Sequence, residues 1–195
     1  MSKWGKGLIL QANLFPYRVR AITIMVNAVA LLMLVGCISS PSPILSDANA
    51  ILGEEGDVHF FSAPGAGPRE HSVMRFQWSG SRYVVTGRGG GVSGVSDFTA
   101  HPFEGRDLIV QSTGARAPRL TEFAIARKLA DGVYLVIPIS EEDVDEATRA
   151  RFCTVTQDAS CRITTPEQLF VFARATAAKD EDSGAIAVVV PSKRP

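Results

Sequence analysis

Three glycine-centred turns, each between two runs of alternating apolar residues, constrain this chain more than any other feature. Asp131-Gly132 separates residues 121–129 from 133–139, and Asp-Gly at such a junction is a strong two-residue hairpin signal. Glu104-Gly105-Arg106 separates 96–103 from 107–112. Ser79-Gly80-Ser81 separates 73–78, with Met74, Phe76 and Trp78 on one face, from 83–86. Residues 57–61 add a short strand-like run before these hairpins, and the apolar run 185–190 adds one after them. Successive hairpins predict a mainly β (α+β) domain, an antiparallel meander of about seven strands. A sheet with one apolar face must bury it by curling, or against a helix. The expected architecture is therefore a curled sheet or small barrel with a C-terminal helix packed on it.

Two helices are expected. Residues 140–151 open on Ser140 as cap, carry Glu141, Glu142 and Asp143 in the first turn, and end with Arg149 and Arg151, so both ends suit the helix dipole. The second starts at Thr165-Pro166-Glu167-Gln168, a capping box with proline at the first helical position. Leu169, Phe172, Ala173 and Thr176 then share one face.

The N-terminus has a different character. Lys3, Lys6, Arg18 and Arg20 precede an apolar stretch, 21–35, that ends in Leu34-Val35-Gly36-Cys37. Basic residues, a short apolar run and small residues before a cut site make an export signal. Fifteen apolar-rich residues containing Thr23 and Asn27 are short for a spanning helix, which needs about 20. The run Leu34-Val35-Gly36-Cys37 resembles the lipobox of bacterial lipoproteins. That resemblance implies cleavage between Gly36 and Cys37, a diacylglycerol thioether on Cys37 and acylation of the new amine. Ile38 after the cysteine, where Asp would retain the protein at the inner membrane, implies the periplasmic face of the outer membrane in a Gram-negative cell. Two or more acyl chains hold a protein stably, at about 0.8 kcal/mol per buried CH2. The resulting organisation is a signal peptide over 1–36, a lipidated cysteine and flexible linker over 37–50, and one β-rich periplasmic domain over 51–195. The linker reading rests on the small polar residues and prolines of 39–50.

The leader carries four basic residues and no acidic ones, so the rest of the chain holds 16 Lys+Arg against 20 Asp+Glu. A mildly acidic domain without a basic stripe is a poor nucleic-acid binder. The membrane, through Cys37, is the expected partner, with another envelope protein or a glycan beside it. With Cys37 assigned to lipid, Cys153 and Cys161 remain as an even pair in an oxidising compartment, and a disulfide between them is expected. Seven intervening residues suit a staple better than a metal site, which favours two to four.

No catalytic constellation emerges, and no cofactor or metal is expected. Gly89-Gly90-Gly91-Val92-Ser93-Gly94 satisfies G-x-G-x-x-G, but strand-like residues come after it rather than a phosphate-binding helix. His59, His71 and His101 form no pair at a metal-binding spacing. The acids Glu141, Glu142, Asp143, Asp145 and Glu146 read as a solvated helix start. Function is thus expected to be non-enzymatic binding or scaffolding at the cell envelope. The alternatives are an envelope hydrolase using His71, His101 and the acids near 141, or a barrel whose aromatic wall holds an apolar ligand.

Overall fold

Each of the three turn glycines adopts the left-handed backbone its turn demands: φ is +90° at Gly80, +66° at Gly105 and +71° at Gly132, a region that costs side-chain-bearing residues steric strain. A computed structural model describes residues 38–62, 71–89, 94–115, 118–156, 160–179 and 184–192. The chain separates into two units, residues 1–35 and 36–195. All described residues belong to the second.

The strands are β1 (Ser39–Ser40), β2 (Glu55–Ser62), β3 (His71–Trp78), β4 (Tyr83–Gly89), β5 (Val95–Pro102), β6 (Leu108–Gly114), β7 (Thr121–Ala130), β8 (Val133–Pro138), β9 (Thr154–Val155), β10 (Cys161–Arg162) and β11 (Ala185–Pro191). Helices are α1 (Glu146–Phe152) and α2 (Pro166–Ala177). Eight strands run antiparallel in the order β6-β5-β4-β3-β2-β11-β8-β7, and β6 pairs with β7 to close the barrel. The meander and its C-terminal helix are as the alternation predicts. The last strand, β11, arrives after α2 and slots between β8 and β2, reading Ile186↔Leu135 on one side and Ile186↔Phe61 on the other.

Alternation sorts side chains between lumen and exterior. On β7, Ala124 and Ala126 line the lumen, while Phe123 and Ile125 point outward into a second core. There they meet Ile109, Ile139, Ile163 and the buried face of α2, Leu169, Phe172 and Ala173. This wall of the barrel is therefore apolar on both sides, and α2 is needed to cover its outside. The capping box of α2 forms as its sequence predicts, with Thr165 Oγ1 accepting from Gln168 N–H.

The first helix differs from expectation. Residues 140–151 are not one helix. Ser140 caps a 3-10 turn (Glu141–Asp143), the chain turns extended at Val144, and Asp145 caps α1 anew. Asp143 explains the break. Its carboxylate accepts from the Ser140 N–H of its own turn and also from the buried Thr176 hydroxyl and from Lys179 beyond the end of α2, so the turn is tied to α2.

Residues 39–50, which read as a mobile tether, are instead held to the barrel at Ser39–Ser40 and at Ile44–Leu45. Ser39 and Ser40 form β1, antiparallel to the start of β7 and parallel to β10. Ile38 is fully buried, and its N–H donates to Ile139 O at 3.2 Å. Ile38, Ile44 and Leu45 are the reason: they supply apolar side chains to the outer core, and their burial together offsets part of the chain entropy lost in ordering the segment. From β1 the segment crosses the barrel wall diagonally and reaches the opposite end, where Leu52 N–H donates to Tyr83 Oη at 2.8 Å.

Candidate functional site

The lumen of the barrel holds an apolar cavity of about 200 Å³. Its wall is built from inward residues of β2, β3, β5, β6, β7, β8 and β11: Phe60, Met74, Val110, Val136 and Val189 are typical. Ala124, Ala126 and Ala187 leave the room, since three larger side chains at these positions would fill it. The wall residues that carry a side-chain polar group are Ser112 and Tyr134. At the end of the barrel where β3 ends and β4 begins, Leu52 closes the lumen over a cluster of Phe76, Tyr83 and Phe98. These rings pack tightly: Phe76 meets Tyr83 edge-on at 5.1 Å, and Tyr83 stacks on Phe98 at 4.9 Å. Burial pushes the Tyr83 phenol above its ordinary pKa, and the Leu52 N–H opposes that only in part. Of the aromatic residues whose place on strands suggests a ligand-lined barrel, Phe98 and Tyr134 reach the cavity. Phe123 turns outward, and Phe103 stacks on Phe170 of α2 outside the barrel.

A second, more polar hollow of about 160 Å³ lies outside the barrel, between the docked N-terminal segment and β5–β6, with Arg82, Asp97, Thr99 and Gln111 on its wall. Gln111 is buried and grips the segment: its Oε1 accepts from Ile44 N–H at 2.8 Å and from Leu45 N–H at 3.0 Å. Its amide also donates to Thr99 Oγ1 at 3.1 Å, and Thr99 Oγ1 lies 2.8 Å from His101 Nε2. Burial lowers the His101 pKa, against the charge of Asp47 and a bond to the Ser46 backbone.

His101 thus meets a hydroxyl, but among the described residues it bonds no carboxylate, and it is buried beneath the segment it holds. His71 sits elsewhere, on the exterior of β3. Its Nε2 is 3.0 Å from His59 Nδ1, with the rings stacked at 8°, and Phe61 stacks on its other side. The structure therefore pairs two histidines that sequence spacing leaves apart, because β2 and β3 form a hairpin with Phe61 opposite His71. Glu141 is in the 3-10 turn, its carboxylate 3.8 Å from Cys153 Sγ. His71, His101 and Glu141 do not converge on one site.

Cys153 and Cys161 form a disulfide with Cα atoms 5.3 Å apart. Among the described residues, Glu141, Cys153 and Cys161 are a group whose ligand atoms lie within 4.8 Å of one another. A metal needs thiolates, and here both sulfurs are spent on each other. The bridge ties the end of α1 to β10, which pairs with β1. Asp145, the α1 cap, is held below the ordinary carboxylate range by the backbone N–H of Thr148. Gly36 and Cys37, with the rest of the leader, lie outside the described residues, as do Gly90-Gly91-Val92-Ser93 of the glycine run. The chain leaves that run into strand β5, not into a helix, so the run lacks the context of a phosphate cradle.

Among the described residues no helix is long and apolar enough to cross a membrane. No protein-family model, curated protein or solved structure matches this chain.

Proposed function

We propose that this chain is a membrane-anchored bacterial lipoprotein whose barrel is a non-enzymatic binding module for a small apolar ligand. The observation that carries the ligand class is the lumen, about 200 Å³ with an almost wholly apolar wall. A concave apolar cavity with one or two polar groups is the usual form of a small-molecule site. Burying about 200 Å² of ligand surface there contributes about 5 kcal/mol before the cost of immobilising the ligand. Tyr134 and Ser112 would orient a ligand that carries a single hydroxyl or carbonyl. Cleavage after Gly36 and acylation of Cys37 would hold the module at the membrane, on the periplasmic face of the outer membrane in a Gram-negative cell. The support for this anchor is the lipobox-like run in the sequence.

The ligand reading is tested with the domain from residue 38 onward and a fluorescent naphthylamine as apolar probe. Saturable uptake at one site is expected, together with at least a tenfold loss of affinity in Ala126→Phe, a variant that fills the lumen. Circular dichroism serves as the control for folding. No saturable uptake by the unsubstituted domain, or equal uptake by a folded Ala126→Phe protein, would overturn it. The anchor is tested separately by Cys37→Ser in the full chain, which should leave the membrane fraction or remain unprocessed.

A further inference from the structure

We infer that the bilayer is a contact partner of the folded domain itself, at the short sheet extension β1–β10–β9, and that the Leu52-capped end of the barrel faces away from it. This rests on the lipid anchor at Cys37 proposed above.

The reason is the missing spacer. Consecutive Cα atoms are about 3.8 Å apart, so an acylated residue 37 sits one residue from Ile38, which is fully buried in the outer core. Ser39 and Ser40 are already paired, Ser39 opposite Glu122 and opposite Arg162. A domain on a long tether samples all orientations. A domain whose first residue after the anchor lies in its own wall presents one face. That face contains β10 and β9, which continue sideways from β1 through Arg162↔Thr154 and Cys161↔Val155. Val155 lies two strand spacings from β1, about 10 Å, and is the most exposed large apolar side chain among the described residues, at 66%. Next to acyl chains held at residue 37, an apolar side chain on this edge strand would lie in the interfacial zone of a bilayer. The disulfide holds β10 and α1 together under this edge. Leu129 marks the other end. It lies seven residues beyond Glu122 on β7, about 23 Å away, and is 48% exposed. Trp78, beside Tyr83 near the Leu52 cap, is at that end as well.

Trp78 is the sole tryptophan after removal of the leader, because the other is Trp4. The test uses the full lipidated protein in vesicles of three parts phosphatidylethanolamine to one part phosphatidylglycerol with brominated acyl chains, which quench nearby tryptophan. Quenching is expected for Val155→Trp in a Trp78→Phe background, at least twofold stronger than for Leu129→Trp in the same background, with Trp78 of the unsubstituted protein unquenched. If both variants float with the vesicles and quench equally, or Val155→Trp is unquenched, the proposed orientation is wrong while the anchor stands. If the unsubstituted protein does not float with vesicles, the anchor has failed and the orientation with it.

Discussion

Gln111 holds the backbone of Leu45 with both ends of one amide. Its Oε1 accepts from Leu45 N–H at 3.0 Å, and its Nε2 donates to Leu45 O at 3.2 Å. Sixty-six residues separate the two, so this one side chain ties the N-terminal segment to a distant strand of the barrel. Gln111 is 2% exposed, and an apolar replacement leaves the Ile44 and Leu45 backbone groups without their protein partner. Gln111→Leu is expected to cost about 1–3 kcal/mol. Amide exchange at Ile44 and Leu45 should accelerate far more than exchange within β3 or β11. Unchanged protection at those two amides would show that the apolar contacts of Ile38 and Ile44 alone dock the segment.

The same grip responds to pH through His101. Burial lowers its folded-state pKa below the ordinary 6.5, so the folded protein keeps the ring neutral where the unfolded chain would already bind a proton. In the window from about 6.5 down to the lowered value the unfolded state holds more protons, and stability therefore rises with pH across that window and falls as pH drops through it. The contribution of His101 is read as a difference: denaturant midpoints of the unsubstituted protein and His101→Gln should diverge as pH is lowered from about 7.5 to about 5. Parallel curves would remove His101 as the source.

How far the sequence anticipates this depends on whether the deciding interaction is local. Turn chemistry is local, so Gly80, Gly105 and Gly132 announce their hairpins and with them most of the barrel. The capping box at Thr165 is equally local and forms as read. The docking of residues 38–45 is not legible in the same way. Ser39-Ser40-Pro41-Ser42-Pro43 has the composition of a linker, and only the partner strands β7 and β10 turn two of its serines into a strand. The break at Val144 depends on Asp143 reaching Thr176 and Lys179, more than thirty residues away. The histidine pair needs the β2–β3 register, and the apolar lumen needs closure of β6 onto β7. The alternating aromatic and aliphatic residues promise a buried face, but which of them border empty space depends on the three alanines opposite.

Gly56 shows how tightly the β11–β2 seam is packed. A Cβ built on it would lie 2.6 Å from Val190 O and 3.1 Å from Phe76 Cζ. Gly56 pairs with Pro191 on one side and Phe76 on the other, so neither backbone nor ring can retreat without opening the β11–β2 seam. Gly56→Ala is expected to destabilise by about 2–3 kcal/mol, as overpacking does in a tight core, or roughly 5–10 °C in Tm for a domain of this size. A variant melting within about 1 °C of the unsubstituted protein would mean that the seam yields at little cost.

The α2 wall should behave as a second core with its own penalty. Phe172 is fully buried, packed in one cluster with Ile109, Phe123 and Ile125 on the outside of the barrel. Phe172→Ala removes a whole ring from between helix and sheet and is expected to cost about 3–5 kcal/mol. Because the lumen lies on the other face of β6 and β7, probe uptake per folded molecule should change little. Chemical denaturation measures the first quantity and probe titration the second. Loss of uptake at full folding would show that α2 sets the shape of the lumen through the strands it covers.

The disulfide acts on a smaller unit. Cys153 and Cys161 are eight residues apart, and closing so short a loop in the unfolded chain is worth about 2.5 kcal/mol in the chain-entropy account. The bridge lies outside the lumen and joins α1 to β10, whose strand partners are β1 and β9. The paired change Cys153→Ser with Cys161→Ser should therefore loosen β9, β10 and the end of α1 while the eight-stranded barrel persists. Amide exchange should rise at Thr154, Cys161 and Arg162 and stay unchanged across β3–β4, and the unfolding free energy should fall by no more than the loop-closure value. A collapse of protection throughout the barrel would mean that β1, and with it the Ile38 anchor in the outer core, depends on the bridge for its place.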